Sequence, residues 1–375
     1  MFEKLTYLQL QEYWWFLIAV LAAMFVFMNF VQGGQTLLYT LGKTEEERDV
    51  IVNTLGRKWE LSFTSLVVFG GALFAAFPLF YAVSFGGAYY VWMAILFCFI
   101  IQAVAYEYRK KPNNFLGERV YEWFMLINGS LGIFLIGVAL GTLFTGGNFV
   151  VDANHLSHWT KPTYGLEALG NWFNLAFGFM LVFLARVQAE LYFINSIAEE
   201  SIVNRAKKWL KIDTALFLLF FLVVVYGILT MSGYSYDESG KVFIESYKFL
   251  HNLMAMPAVT AIILVGALML LGGICWTLIK NSTKGIWCSG IGTVLVVIGL
   301  FLMLGYNHTA FYPSLADMQS SLTIQNASGS RYTLIAMSYV SIMVPFVLAY
   351  IIWAWRAMNK DRVTIKEIES DGHHY

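Results

Sequence analysis

From Ile212 to Met231 the chain reads IDTALFLLFFLVVVYGILTM, and within it only Asp213 carries a charge. A hydrocarbon core of roughly 30 Å is crossed by about 20 apolar residues of α-helix, since each adds about 1.5 Å. A helix of this composition is apolar all round and has no polar face to turn toward water. It is therefore read as a membrane span, and it sets the reading of the rest.

Comparable runs recur on both sides. The expected spans are 14–39, 61–83, 88–106, 120–144, 169–194, 212–231, 256–279, 286–306 and 334–355. Of 375 residues, 58% are apolar and 13% charged, whereas soluble domains carry about 25% charged residues. The chain is thus expected to be an all-α membrane protein with nine transmembrane helices and no large soluble domain. Its formal net charge of zero gives no electrostatic reason to expect a nucleic-acid partner. Cys98, Cys275 and Cys288 sit in apolar runs without a CxxC spacing, so they are expected to be buried thiols. Met1-Phe2-Glu3-Lys4 lacks the basic start of a signal peptide, and the first apolar run is expected to be kept as a span.

Basic residues are retained on the cytoplasmic side and orient the helices. Of 24 Lys and Arg, 18 fall after the odd-numbered spans, including Arg356, Lys360, Arg362 and Lys366 at the end of the chain. The N-terminus is therefore expected outside and the C-terminus in the cytoplasm.

Ionisable side chains in or beside hydrocarbon are costly, so each has a functional and a packing interpretation. Glu60, Glu107, Glu122 and Asp213 fall at the cytoplasmic ends of their spans. Arg186 and Glu190 are four residues apart and share one helix face. Carboxylates at this depth either extend to the cytoplasmic surface beside basic residues or form a proton entry path. A path needs a carboxylate whose affinity for protons is raised by partial desolvation, and Glu60 and Glu107 have the type and depth for it. Asn29, Gln32 and Gln35 recur every three residues in the first span, as interhelical hydrogen-bonding groups or as a polar face that holds water.

Haem in a membrane carrier is usually held by histidines facing each other inside the bundle. Here His155 and His158 fall in an outer loop, His251 and His308 near the outer surface, and His373 and His374 in the tail. No haem or metal site is expected within this chain.

Several local patterns together resemble subunit II of the cytochrome bd-type quinol oxidases. They are Tyr13-Trp14-Trp15-Phe16-Leu17, Trp59-Glu60, Gly70-Gly71-Ala72-Leu73-Phe74-Ala75-Ala76-Phe77-Pro78, Glu107-Tyr108-Arg109, Glu122-Trp123 and, near the end, Thr364-Ile365-Lys366-Glu367-Ile368-Glu369. The resemblance implies two four-helix bundles, residues 1–144 and 145–306, and a peripheral ninth helix with a cytoplasmic tail, residues 307–375. It also implies a partner, subunit I, that carries haem b and haem d and the quinol site. This chain would then stabilise the haem assembly in a bacterial inner membrane and help protons reach it from the cytoplasm, with Glu60, Glu107, Asn29 and Gln32 on the route and Trp59 and Arg109 as positioning residues. Quinol and O2 act at the level of the complex, lipid surrounds it, and a bound quinone and a small single-helix subunit are compatible with it. The resemblance fails at one point: where the family has Gly-Phe-Asp-x-Gly, this chain has Asn29-Phe30-Val31-Gln32-Gly33, so Val31 replaces an acid.

Two other readings compete. In a secondary transporter, a helix broken at Gly33-Gly34 would line a substrate site. In a purely structural assembly subunit, the carboxylates would have no proton role.

Overall fold

The computed structural model describes residues 2–359 and 362–365. Lys360, Lys366, His373, His374 and positions 366–369 of the tail pattern lie outside the described residues. The first crossing consists of α1 (Tyr7–Met28) and α2 (Phe30–Thr36), followed by the short α3 (Leu38–Leu41). The chain returns through α4 (Glu45–Ala76), turns at α5 (Pro78–Tyr81) and crosses again as α6 (Tyr89–Tyr108). Next come α7 (Glu118–Ile127) and α8 (Ile133–Thr145), joined by a π-helical turn at Asn128–Gly132.

A hairpin of β1 (Phe149–Val151) and β2 (Ser157–Trp159) leads to α9 (Trp172–Ser196) and α10 (Glu200–Thr230). A second hairpin, β3 (Gly233–Tyr236) and β4 (Val242–Glu245), precedes α11 (Lys248–Ala255), α12 (Pro257–Lys280) and α13 (Gly285–Gly305). The helices α14 (Arg331–Ser341) and α15 (Val344–Met358) complete the order. Among the described residues, eight helices, counting α1 with α2 and α7 with α8, are long and apolar enough to cross a membrane, and there are nine if α14 and α15, bent by 40°, are one span. The strands form only two separate hairpins among the described residues.

Local chemistry sets the helix starts. Thr6 and Thr44 each accept a hydrogen bond from the third residue of the following helix, and Gln9 and Glu47 reach back to the cap. Such capping boxes satisfy backbone donors that would otherwise be bare, worth about 1 kcal/mol each. The helix α10 starts well before the apolar run at Ile212, because Ile202, Ala206 and Leu210 give its polar first turns a buried stripe.

In the first crossing the breaks fall at Asn29 (φ −63°, ψ −4°) and Leu37 (φ −91°, ψ −3°), not at Gly33-Gly34. The two glycines are inside α2 and press it onto α9: a Cβ on Gly33 would lie 2.1 Å from the Ala185 carbonyl oxygen. The backbone of α9 fills the space a substrate would need. In α9, 78% of the most apolar stretch is buried, against 28% in α10 and α12, so α9 is the central helix. The Trp15 Nε1 donates to the Phe301 carbonyl at 2.7 Å and ties α1 to α13.

One expectation about the thiols is corrected. Cys98 is buried, but Cys288 is only half-buried and Cys275 is exposed. An exposed thiol on an apolar helix costs little, because lipid solvates it as well as a protein interior does.

Candidate functional site: a buried amide cluster

The three-residue spacing of α2 places Gln32 and Gln35 on one side of the first crossing, opposite Gln102 of α6. Gln102 Oε1 accepts from Gln32 Nε2 and from Gln35 Nε2, each at 2.8 Å. Gln35 Nε2 also reaches the Tyr106 hydroxyl at 3.3 Å, and Ser62 of α4 donates to Gln32 Oε1 at 2.9 Å. Three crossings are thereby joined by side-chain amides and hydroxyls, all of them buried.

Asn29 is buried one turn deeper, and Asn128 opens the π-turn that packs on α2. A Cβ on Gly129 would stand 2.2 Å from the Gln32 carbonyl oxygen, so only glycine lets that turn approach. Both polar atoms of Asn29, both of Asn128, Gln35 Oε1 and Gln102 Nε2 make no hydrogen bond among the described residues. Buried amides left in this state are costly, and interiors satisfy them with bound water. π-turns recur at functional positions, where they displace a side chain from the regular helix.

At the end of the crossings that carries the basic loops, the indole of Trp59 lies parallel to the Tyr106 ring, with centroids 5.5 Å and planes 8° apart. Glu60 and Glu107 directly follow these two residues and both are exposed. The helices α4 and α6 run antiparallel, so a step of about 100° from each stacked ring turns both carboxylates to the same open side. Lys58 is 0% exposed and its ammonium stands 5.0 Å from the centre of the Trp355 ring.

Arg109 organises the adjoining surface. It is fully buried, 2.7 Å from Asp49 and 2.8 Å from Glu122, with Glu118 at 3.7 Å. Arg48 and the Tyr39 hydroxyl complete the shell of Glu122 at 3.4 and 2.7 Å. Lys110 bonds to Asp49 and Glu118 at 3.0 and 3.1 Å. Burial works against its charge, but hydrogen bonds to Asp49 and Glu118 outweigh burial and raise its pKa above the ordinary value. The network ties α4, the end of α6 and α7 together.

Among the described residues no two histidines face each other inside an apolar crossing. His155, His158, His251 and His308 are all exposed and lie outside the apolar crossings. Among the described residues no group of three or more His, Cys, Asp or Glu could hold a metal ion.

Of the residues singled out in the sequence, Gln32 and Gln35 meet in one network, Asn29 lies deeper and unbonded, and Glu60 and Glu107 lie at the surface near its mouth. Gln102, Tyr106, Ser62 and Asn128 were not singled out. A search for charge passes over them; an isolated Gln amid Ile100-Ile101 and Ala103-Val104 was the available signal.

Among the described residues, eight or nine helices able to cross a membrane and a buried amide cluster define a polytopic integral membrane protein. A family profile described as "Cytochrome bd terminal oxidase subunit II" matches residues 10–358, and the chain belongs to that family. It is accordingly a subunit of a membrane-bound oxidoreductase complex. It is similar to cytochrome bd-I ubiquinol oxidase subunit 2 of Escherichia coli strain K12, 28% identical over 96% of this chain and 97% of the relative. Cytochrome bd ubiquinol oxidase subunit 2 of Bacillus subtilis strain 168 is likewise 28% identical, over 96% and 98%. The fold matches a chain of the bd oxidase structure from Geobacillus thermodenitrificans with a TM-score of 0.64 at 14% identity, covering 93% of this chain and 98% of that one.

Proposed function

We propose that this chain is the haem-free subunit II of a cytochrome bd-type quinol oxidase in a bacterial inner membrane. It stabilises a haem-bearing subunit I and leads protons from the cytoplasm toward the site of oxygen reduction. Haem b and haem d in subunit I supply the electron transfer and oxygen chemistry. Quinol oxidation releases protons outside and water formation consumes protons from inside, so charge separates without a pump. The N-terminus is outside, the C-terminus is inside, and residues 1–144 and 145–306 are two four-helix units flanked by the ninth helix.

The observation that carries the proton role is the cluster joined through Gln102, whose unpaired amide atoms call for water in the half of the membrane nearest the basic loops. Water held between amides relays protons by exchanging hydrogen bonds. Glu60 and Glu107, exposed beside the Trp59–Tyr106 stack, collect protons there, and subunit I closes over that open side.

The test is Glu60→Gln in the assembled complex, read as quinol-driven oxygen consumption at unchanged haem content. Slower turnover is expected, with a smaller loss for Glu107→Gln. Full turnover in both variants would leave the chain a structural subunit, a role the Arg109 network also supports.

A further inference from the structure

The residues Arg186, Glu190 and Asp213 form a second ionisable group that the amide cluster does not use. Arg186 Nη2 and Nε lie 2.9 and 3.0 Å from Asp213 Oδ2 of α10, and its Nη1 donates to Thr36 Oγ1 of α2 at 2.9 Å. Glu190 is one turn further along α9 and 0% exposed, and Asp213 is 1% exposed. The carboxyl of Glu190 interacts with both Asp213 and Arg186, yet neither of its oxygens makes a well-formed hydrogen bond. The Thr214 hydroxyl beside Asp213 is also unpaired.

Charge counting decides the state of this group. One guanidinium balances one carboxylate, and a second buried carboxylate would leave a net negative charge in low dielectric. Like-charged carboxyls sharing a site do not both ionise near neutrality; one of them keeps its proton. Among the described residues, Arg186 is the one cation that acts on the Glu190 carboxyl. The neighbouring α2, α8 and α13 contribute no Asp, Glu, Lys, Arg or His. On α1 the acidic Glu12 lies at the far end, and on α4 Lys58 packs on Trp355 instead.

We infer that Glu190 and Asp213 form a proton-binding carboxyl pair that holds one shared proton, with Arg186 as its fixed counter-charge. Loading makes the O–H bond on one carboxyl and leaves the trio neutral. Release breaks that bond, passes the proton to water and leaves a net charge of −1. Arg186 is 14% exposed and provides the contact with the surface. Its bond to Thr36 links the charge state of the pair to the crossing that carries Gln32 and Gln35. The inference stands on the trio alone and does not depend on the role of Glu60.

Infrared spectroscopy of the purified complex tests it, following the carbonyl band of a buried protonated carboxyl and its shift in D2O. Wild type minus Glu190→Gln and wild type minus Asp213→Asn are each expected to contain this band at neutral pH. Either substitution leaves one carboxylate for one guanidinium, so the proton is no longer needed. Haem content reports assembly of each variant. A band that survives in Asp213→Asn would mean that Glu190 is protonated by itself and would overturn the pair. So would a wild-type difference spectrum with no such band from neutral to mildly alkaline pH, a comparison that Glu190→Asp can replace if Glu190→Gln fails to assemble.

Discussion

The indole of Trp59 lies flat against the phenol ring of Tyr106, 5.5 Å between centroids and 8° from parallel. The contact joins α4 to α6, and the Tyr106 hydroxyl it positions lies 3.3 Å from Gln35 Nε2. Aromatic pairs contribute about 0.5–1.5 kcal/mol beyond the area they bury. Trp59→Leu is expected to lower the thermal stability of the complex and to slow turnover, while Trp59→Phe keeps most of both. Equal behaviour of the two variants in a melting and oxygen-uptake series would show that the stack has no special role.

Gln102 serves as acceptor for two glutamine amides; its removal strands that of Gln32 and leaves Gln35 only the longer bond to Tyr106. An unpaired buried amide costs about 1–3 kcal/mol, so Gln102→Leu should destabilise the complex by about that amount and reduce turnover. Gln102→Glu keeps the accepting oxygen and should recover stability. Denaturation midpoints of the two variants, measured at equal haem content, distinguish loss of the acceptor from loss of volume.

Arg109 is 0% exposed and faces two carboxylates within 3 Å. Breaking a buried ion pair from one side costs about 3–5 kcal/mol, because the abandoned charges stay buried. Arg109→Met should therefore abolish accumulation of folded subunit, and Arg109→Lys should rescue it only partly, since one ammonium cannot fork between Asp49 and Glu122. Membrane yield of the subunit, assayed by immunoblot, is the measurement.

A pH dependence belongs to the second hairpin. Glu245 is partly buried, which raises its pKa, but hydrogen bonds from His251 and Lys248 and the Lys248 charge outweigh burial and hold it below its ordinary 4.5. A carboxylate depressed on folding stabilises the fold above its unfolded pKa, and that contribution fades as pH falls through the lower folded value. Hydrogen-exchange protection of β3 and β4 should thus be constant well above the ordinary value of 4.5 and decline as pH falls below it. Glu245→Gln should remove the decline.

Much of this fold was written in the apolar runs, because a bilayer allows few alternatives to a long apolar helix. Ile212 to Met231 announces its crossing without reference to any neighbour. The kinks were less legible. Gly33-Gly34 reads as a break, yet the glycines serve the close approach of α2 to Ala185, and the breaks fall on Asn29 and Leu37. The site was legible only in part for a similar reason. Gln32 and Gln35 declare themselves by their spacing, but Gln102 acquires its role from helices that are distant in sequence. Arg186 and Asp213 show the same limit: they are 2.9 Å apart in space, and nothing local in the chain pairs them.

Val31 is 0% exposed and is the position at which the resemblance leads one to expect an acid. With it, the first crossing loses the one group that would gain and lose charge within its inner half. Carboxamides keep the same formal charge in acid and in alkali, so Asn29, Gln32, Gln35 and Gln102 have no buffering capacity. On the proposed route such amides hand a proton onward but cannot bank one, and the acid limb of any rate profile would have to originate in groups at its ends.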